Sequence, residues 1–171
     1  DGKRHELIDG VHYVTPSPRV RHQELVGRLH LALGNYLSEH PAAGRVLLAP
    51  VDVVLSNHDI VEPDLLVIAG DQTGIVTEKN VQGAPALVIE VMSKSTRKRD
   101  AQIKRRLFEQ VGVREYWLVD SELDTLQVLR LSLEGRVVRV EELTAEDGGT
   151  LTTPLLPGCS IDVRTLFRPT L

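Results

Sequence analysis

A glutamate in an otherwise apolar segment is the strongest chemical signal in this sequence. Glu90 lies within residues 87–92, LVIEVM, where apolar neighbours on both sides predict a strand covered on both faces. A buried carboxylate is costly unless it is protonated, paired with a cation or bound to a metal. The alternative interpretation is a glutamate at a strand end that reaches solvent. Glu90 is therefore a candidate for a charged functional site.

A second carboxylate, Asp64, follows Pro63 and opens the apolar run 65–69. Neighbouring strands lie only about 4.8 Å apart, so two strand carboxylates at matching height can share one divalent cation. Carboxylate oxygens with open water positions are what Mg²⁺ prefers. Taken alone, Asp64 would fit better as a turn residue after proline. Together, the two carboxylates predict a metal site with Asp64 and Glu90 as ligands.

A lysine can be placed beside Glu90 by helix geometry. The strand is expected to run about 10 Å past Glu90 at ~3.3 Å per residue. A helix that starts near Arg97 and folds back climbs about 10 Å by Lys104, at ~1.5 Å per residue. Lys94 would lie about 13 Å beyond Glu90 if the strand continued, so Lys104 is the better partner. Asp100, one turn earlier on the same face, can hold the ammonium in place.

The segment that contains Lys104 is strongly basic. Such a run is usually a solvated helix face, but this one begins just beyond the strand that carries Glu90. Two carboxylates, a lysine and a basic helix start together indicate metal-assisted phosphodiester cleavage, with Mg²⁺ as the cation and Mn²⁺ as its substitute. The predicted nucleic-acid-binding residues are Lys94, Arg97, Lys98, Arg99 and Arg105.

The elements that must position these residues follow from periodicity and turn signals. Asp9-Gly10 predicts an N-terminal hairpin, and Ser17-Pro18 predicts the start of an amphipathic helix that ends near His40-Pro41. The predicted strands are 46–55, 64–69, 86–92 and 115–120, a second helix spans 95–111, and a further hairpin joins 125–131 to 136–143. The Pro-rich tail from Thr150 is expected to wrap a sheet edge. This order predicts a single α/β domain with a mixed sheet.

The composition of the chain argues against several classes of protein. The 171 residues carry a formal charge of −4, which argues against a passive nucleic-acid coat but permits a local basic face. Aromatic residues make up 4%, so a stacking platform for single strands has little material. The single cysteine, Cys159, excludes an internal disulfide framework and fits a reducing cytoplasm. No apolar run reaches the ~18 residues of a membrane span, so no membrane partner is expected.

The spacing of Glu62-Pro63-Asp64 and Glu90-Val91-Met92 resembles the PD-(D/E)XK nuclease superfamily. One departure matters, because Met92 stands where the superfamily usually places a lysine. A narrower similarity, to the Uma-two family of restriction-endonuclease-like bacterial proteins, accounts for it. That similarity is carried by residues 5–10, 63–64, 88–93, 95–96, 100, 104 and 112–120, within a region of about 4–131.

The resemblance implies a site, a fold and an assembly. It implies that the lysine has moved to the following helix as Lys104, and it maps the family's early glutamate to Glu6, which could otherwise be an exposed hairpin charge. The implied fold is a restriction-endonuclease-like mixed central sheet flanked by helices, with an N-terminal hairpin and a C-terminal β-hairpin extension. One nuclease-like domain of residues 1–171 is expected, with a core of about 4–131 and a hairpin and tail over 132–171. Self-association, as a homodimer, is also implied.

Two functions remain open from the sequence. The first is a metal-dependent endonuclease that hydrolyses DNA phosphodiester bonds, with Asp64, Glu90, Lys104 and Glu6 in the catalytic site. The second is a catalytically silent module of the same fold that binds nucleic acid or another partner. The acidic net charge and Met92 favour the second, and the retained Asp64, Glu90 and Lys104 favour the first.

Overall fold

Two sheets and a small hairpin make up the strand content of the described structure. The structure, a computed structural model, describes residues 2–169, so the predicted domain of residues 1–171 extends beyond the described residues at both ends. The helices are α1 (Val20–Glu39), α2 (Arg105–Val111) and α3 (Val163–Phe167). The strands are β1 (Arg4–Ile8), β2 (Val11–Thr15), β3 (Gly44–Leu48), β4 (Val53–Val54), β5 (Ile60–Val61), β6 (Leu65–Ala69), β7 (Val81–Gln82), β8 (Leu87–Met92), β9 (Glu115–Asp120), β10 (Thr125–Leu131), β11 (Val137–Thr144), β12 (Thr150–Thr152) and β13 (Ser160–Asp162).

The central sheet has six strands in the order β11-β10-β9-β8-β6-β3. It is mixed, because β8 pairs parallel with β9 while the other neighbours pair antiparallel. All residues of β8 and β9 are buried, as expected for strands covered on both faces. The apolar stripe of α1 packs in one core with Leu87 and Ile89, and Leu107 and Phe108 of α2 pack in a second core with Val88. The predicted mixed sheet flanked by helices is confirmed.

A second sheet, in the order β2-β1-β5-β4-β7, was not predicted as a separate unit. The N-terminal hairpin is confirmed, and positive φ angles at Asp9 and Gly10 of 51° and 72° fit the two-residue turn between its strands. The strands β4, β5 and β7 have two residues each, which is too short for a periodic pattern. Pairing of Leu7 with Ile60 brings β1 beside the segment that leads to Asp64.

Three sequence predictions need correction. The first helix begins at Val20 with Arg19 as its N-cap, rather than at Ser17-Pro18. The predicted strand 46–55 is divided near Pro50, which has no backbone N–H to donate to a ladder, so that β3 joins the central sheet and β4 the second one. The predicted helix 95–111 contains a π-helical segment, Arg99–Lys104, before the α-helical turns of α2.

The C-terminal hairpin is confirmed. It forms around Glu134-Gly135 as β10 and β11, which extend the central sheet beyond β9 as its last two strands. The tail forms the two-stranded β12–β13 sheet and α3 instead of wrapping an edge. Its residues Leu166 and Phe167 pack in the same core as Leu25 of α1, because the outer side of that core still has apolar surface to cover. Within the part of the chain described, no helix has both the length and the apolar character that a membrane crossing requires.

Candidate active site

A cleft of about 940 Å³ opens where the two sheets meet the start of α1. Its lining includes the N-terminal residues of β1, the segment 15–19 before α1, the β3–β4 connection, and the segment 93–96 that follows β8. Asp64, Val91 and Asp100 also line it. A cavity of this size is in the range of ligand sites.

Asp64 and Glu90 lie near each other at the end of the β6–β8 ladder. That ladder ends with Leu65 opposite Ile89, so Asp64 directly precedes β6 and Glu90 is the next residue of β8. The Asp64 carboxylate accepts from the backbone N–H of Val91, the residue after Glu90. Both carboxylates are buried, with exposed fractions of 3% for Asp64 and 1% for Glu90. That the two carboxylates share one cation stays a prediction.

Asp64 has a full set of donors. Its Oδ2 accepts from the backbone N–H of Val91 at 2.8 Å and lies 3.1 Å from His22 Nε2, and its Oδ1 accepts from the guanidinium of Arg4. Burial alone would raise the pKa of Asp64, but the His22 hydrogen bond and the Arg4 charge outweigh it and bring that pKa to about 2. Asp64 is therefore ionised at neutral pH and faces the cleft.

Lys104 forms a hydrogen-bonded ion pair with Glu90. Its Nζ donates to Glu90 Oε1 at 2.6 Å and lies 2.6 Å from Glu6 Oε1. The π-helical segment directs Asp100 and Lys104 inward, with Asp100 Oδ1 3.8 Å from Nζ. Irregular turns of this kind are frequent at functional sites. The position agrees with the height that helix rise gave for Lys104, although the helix is not the regular one assumed.

The two partners have perturbed pKa values with different causes. Burial and the neighbouring charges of Asp64, Asp100 and Glu6 raise the pKa of Glu90 well above its usual range, and Lys104 offsets only part of this. Burial would lower the pKa of Lys104, but the surrounding carboxylates raise it instead, so its ammonium stays charged. The pKa values of the Glu90 carboxyl and of the Lys104 ammonium are both raised, as expected where negative charges outnumber positive ones.

Glu6 is part of this site rather than an exposed hairpin charge. It is 1% exposed, and its Oε1 also accepts from the backbone N–H of Glu62 at 3.0 Å. Lys104 and Arg99 offset the cost of burial and lower the pKa of Glu6. Arg99 Nη2 lies 3.7 Å from Glu6 Oε2. Sheet pairing of β1 with β5 explains how a residue so far away in sequence reaches the core of the site.

Sequence reasoning missed Arg4 and His22. His22 carried a usable signal, because it precedes Leu25 by three residues and so continues the stripe Leu25, Leu29, Leu33 on the buried face of α1. A histidine on such a stripe must find a polar partner, and here the partner is Asp64. Arg4 carried no comparable signal, since only the folding of β1 against β5 brings it to Asp64.

The predicted nucleic-acid-binding residues are dispersed. Arg97 pairs with Asp120 through Nε at 2.7 Å and Nη2 at 2.9 Å. Arg99 points inward, where Nη2 donates to Thr15 Oγ1, and Arg105 donates to the carbonyl of Val137. Lys94 and Lys98 are exposed, and of the five predicted residues only Lys94 is among the described residues that line the cleft. The basic side chains at the cleft come instead from other segments, namely Lys3, Arg4, Arg19 and Arg21.

The donor set fits a hard divalent cation. Among the described residues, no three His, Cys, Asp or Glu side chains are arranged to hold a metal by themselves. Mg²⁺ does not require that, because it is usually bound through one or two carboxylates together with waters and substrate phosphate. Asp64 and Glu90 are two buried carboxylates that would supply such ligands to a bound cation.

The mixed central sheet flanked by helices is a restriction-endonuclease-like fold. A family model described as "Uma2: Putative restriction endonuclease" matches residues 1–164, and the chain belongs to that family, which confirms the resemblance found in the sequence. The fold is similar to the crystal structure of a protein described as a putative nuclease belonging to DUF820 from Anabaena variabilis ATCC 29413. The two chains are 17% identical and superpose with a TM-score of 0.78 over 95% of this chain and 89% of the other. Among curated proteins, none matches the chain significantly.

Proposed function

We propose that this protein is an Mg²⁺-dependent endonuclease that hydrolyses phosphodiester bonds of DNA, with Mn²⁺ able to replace Mg²⁺. The observation that carries the proposal is Asp64, a buried carboxylate that lines the cleft, next to the buried Glu90, whose Oε1 accepts from Lys104 Nζ at 2.6 Å. Membership of a family described as "Putative restriction endonuclease" supports the same reaction class. The matching crystal structure is described as that of "a putative nuclease", which also agrees with it.

The residues divide the chemical work. The cation, when bound to Asp64 and Glu90, would lower the pKa of a bound water and neutralise charge on the phosphate. Lys104 carries the permanent positive charge next to Glu90 and holds that carboxylate in place for the cation. Glu6 holds the ammonium from its other side at 2.6 Å. Fixed groups of this kind need no reorganisation during the reaction.

DNA would enter along the cleft rather than along α2. Arg19 and Lys94 are exposed cleft residues, and Arg19 has only a 3.9 Å contact with Glu122. Both are available to neutralise phosphates, whereas Arg97, Arg99 and Arg105 already have protein partners. A homodimer that presents two such clefts, and a cytoplasmic location, remain predictions from the sequence.

Metal binding and DNA cleavage test the proposal directly. Mn²⁺ binding is measured by calorimetry or electron paramagnetic resonance, and cleavage is followed on plasmid DNA with Mg²⁺. Asp64→Asn should abolish both, while the control Asp71→Asn, an exposed carboxylate paired with Arg114, should change neither. Mn²⁺ binding that ignores Asp64→Asn would refute the metal site. Binding that depends on Asp64, without cleavage of any duplex or single strand, would instead favour the silent module of the same fold.

Salt dependence tests the cleft as the DNA surface. The logarithm of the binding constant falls with the logarithm of salt concentration, by about 0.9 for each phosphate contact. The variant Arg19→Ala/Lys94→Ala should therefore reduce the slope by about 1.8. The control Lys98→Ala/Arg106→Ala removes two exposed cations outside the cleft lining and should leave the slope unchanged. A larger reduction of the slope in the Lys98→Ala/Arg106→Ala control would indicate that DNA binds on the outer side of α2 instead of in the cleft.

A further inference from the structure

The guanidinium of Arg4 occupies the cleft side of Asp64. Arg4 donates to Asp64 Oδ1, the oxygen that neither His22 nor the Val91 N–H contacts. Its charge is also attracted by Glu90 and Glu6. The Arg4 side chain is 21% exposed and lines the cleft, so one of its sides faces the carboxylates and the other faces open space.

This position coincides with the one that a shared cation needs. A cation held by Asp64 and Glu90 must approach an Asp64 oxygen from the cleft, and Oδ2 is already taken by His22 and the Val91 N–H. The remaining oxygen is Oδ1, which Arg4 holds. Two cations cannot share that side of one carboxylate without strong repulsion.

The balance of charge makes an exchange feasible. The described site contains four buried carboxylates, Glu6, Asp64, Glu90 and Asp100, and three permanent cations, Arg4, Arg99 and Lys104. Lys104 is fully buried between Glu6 and Glu90, and Arg99 lies between Glu6 and Asp100. Arg4 is the most exposed of the three, with 21% of its side chain accessible against 11% for Arg99 and none for Lys104. It is the cation that can leave with the least rearrangement.

We propose that Arg4 is a built-in competitor of the divalent cation, which exchanges Asp64 for the DNA phosphate when the metal binds. In the metal-free protein Arg4 neutralises Asp64 and keeps the site closed to other cations. When Asp64 binds the metal, the guanidinium moves into the cleft, where its planar donors match a phosphate. The inference rests on the proposed metal site, because it concerns a residue that acts toward the cation.

Two binding measurements with opposite signs test this exchange. Arg4→Gln should raise Mn²⁺ affinity about tenfold or more at constant ionic strength, the range of an ordinary coupling between two ligands. The same variant should weaken the binding of a duplex oligonucleotide in Ca²⁺, with gel electrophoresis verifying that the duplex is intact at the end of the measurement. Arg4→Lys, which keeps the charge without the planar fork, should lie between the wild type and Arg4→Gln in both measurements.

Controls separate this exchange from general electrostatics and from failure of the metal site. Arg19→Gln removes a cation from the same cleft without touching Asp64 and should change Mn²⁺ affinity by less than about twofold. Circular dichroism in EDTA verifies folding, since Asp64 keeps His22 and the Val91 N–H in the Arg4 variants. Wild-type Mn²⁺ binding that Asp64→Asn abolishes but Arg4→Gln leaves unchanged would overturn only the exchange. Absence of Mn²⁺ binding in both the wild type and Arg4→Gln would overturn the metal site together with it.

Discussion

Replacing Lys104 by methionine isolates the charge that holds the site together. Methionine is of similar length and flexible, so the substitution removes the ammonium with little change in packing. Lys104 is fully buried and lies 2.6 Å from both Glu6 and Glu90. Glu6 would keep Arg99 and the Glu62 N–H, but Glu90 would lose the one ion-pair partner that the described residues give it.

The expected cost is large. Removing one partner of a buried ion pair costs about 3–5 kcal/mol, because an uncompensated charge remains. The variant Lys104→Met should therefore be less stable by about 3–5 kcal/mol at neutral pH. Glu90→Gln removes the charge that is stranded, so the double variant should recover about 2 kcal/mol of that loss, within the range of coupling between contacting residues.

The cost should depend on pH in a defined direction. The pKa of Glu6 is lowered in the folded protein, with Lys104 as the main favourable cause. A lowered carboxyl pKa contributes stability that is present above the unfolded value of about 4.3 and is lost as the pH falls through the folded value. The part of the difference between wild type and Lys104→Met that comes from Glu6 should therefore be present above about pH 4.3 and be lost as the pH falls below it.

Urea unfolding followed by circular dichroism, in EDTA and from pH 3.5 to 8, measures these differences. The control Lys98→Met removes an exposed lysine of the same basic segment and should leave the free energy of unfolding essentially unchanged. Two results would refute the reasoning. One is that Lys104→Met lowers the free energy of unfolding by less than about 1 kcal/mol. The other is that Lys104→Met lowers it equally in the wild type and in the Glu90→Gln variant.

Two further predictions concern the frame around the site. Asp120→Asn should destabilise the protein by about 1–2 kcal/mol, a value kept small because its partner Arg97 is partly exposed. Since the pKa of Asp120 is lowered, the loss of stability should be full above about pH 4 and decrease below it, as measured in the same urea series. Gly44→Ala should destabilise the protein by more than about 1 kcal/mol in thermal unfolding, because the φ angle of Gly44 is +138° and a Cβ would lie 2.1 Å from the Ile68 carbonyl oxygen. Gly27→Ala in α1 should instead stabilise it by about 0.5–1 kcal/mol, because a Cβ there meets nothing within 4 Å. Insensitivity of the Asp120→Asn effect to pH, or equal effects of the two glycine changes, would contradict these accounts.

The sequence by itself determined the central strands and the outline of the site. A continuous apolar run is stable as a strand only when both of its faces are covered by protein. The bounds of β8 and β9 could therefore be predicted to within one residue. Glu90 stood out because its neighbours exclude water. The helix rise placed Lys104 near it, since that distance depends on local geometry alone.

Only the tertiary structure decided which distant groups complete the site. Arg4 and Glu6 reach Asp64 and Lys104 through the pairing of β1 with β5, and two-residue strands leave no periodic signal in a sequence. The tertiary structure likewise decided where the cations of the basic segment point. Three of its arginines, Arg97, Arg99 and Arg105, donate to Asp120, Thr15 and the Val137 carbonyl, which lie far away in the chain. Charge along a segment is a local property, whereas the direction in which each charge points depends on long-range packing.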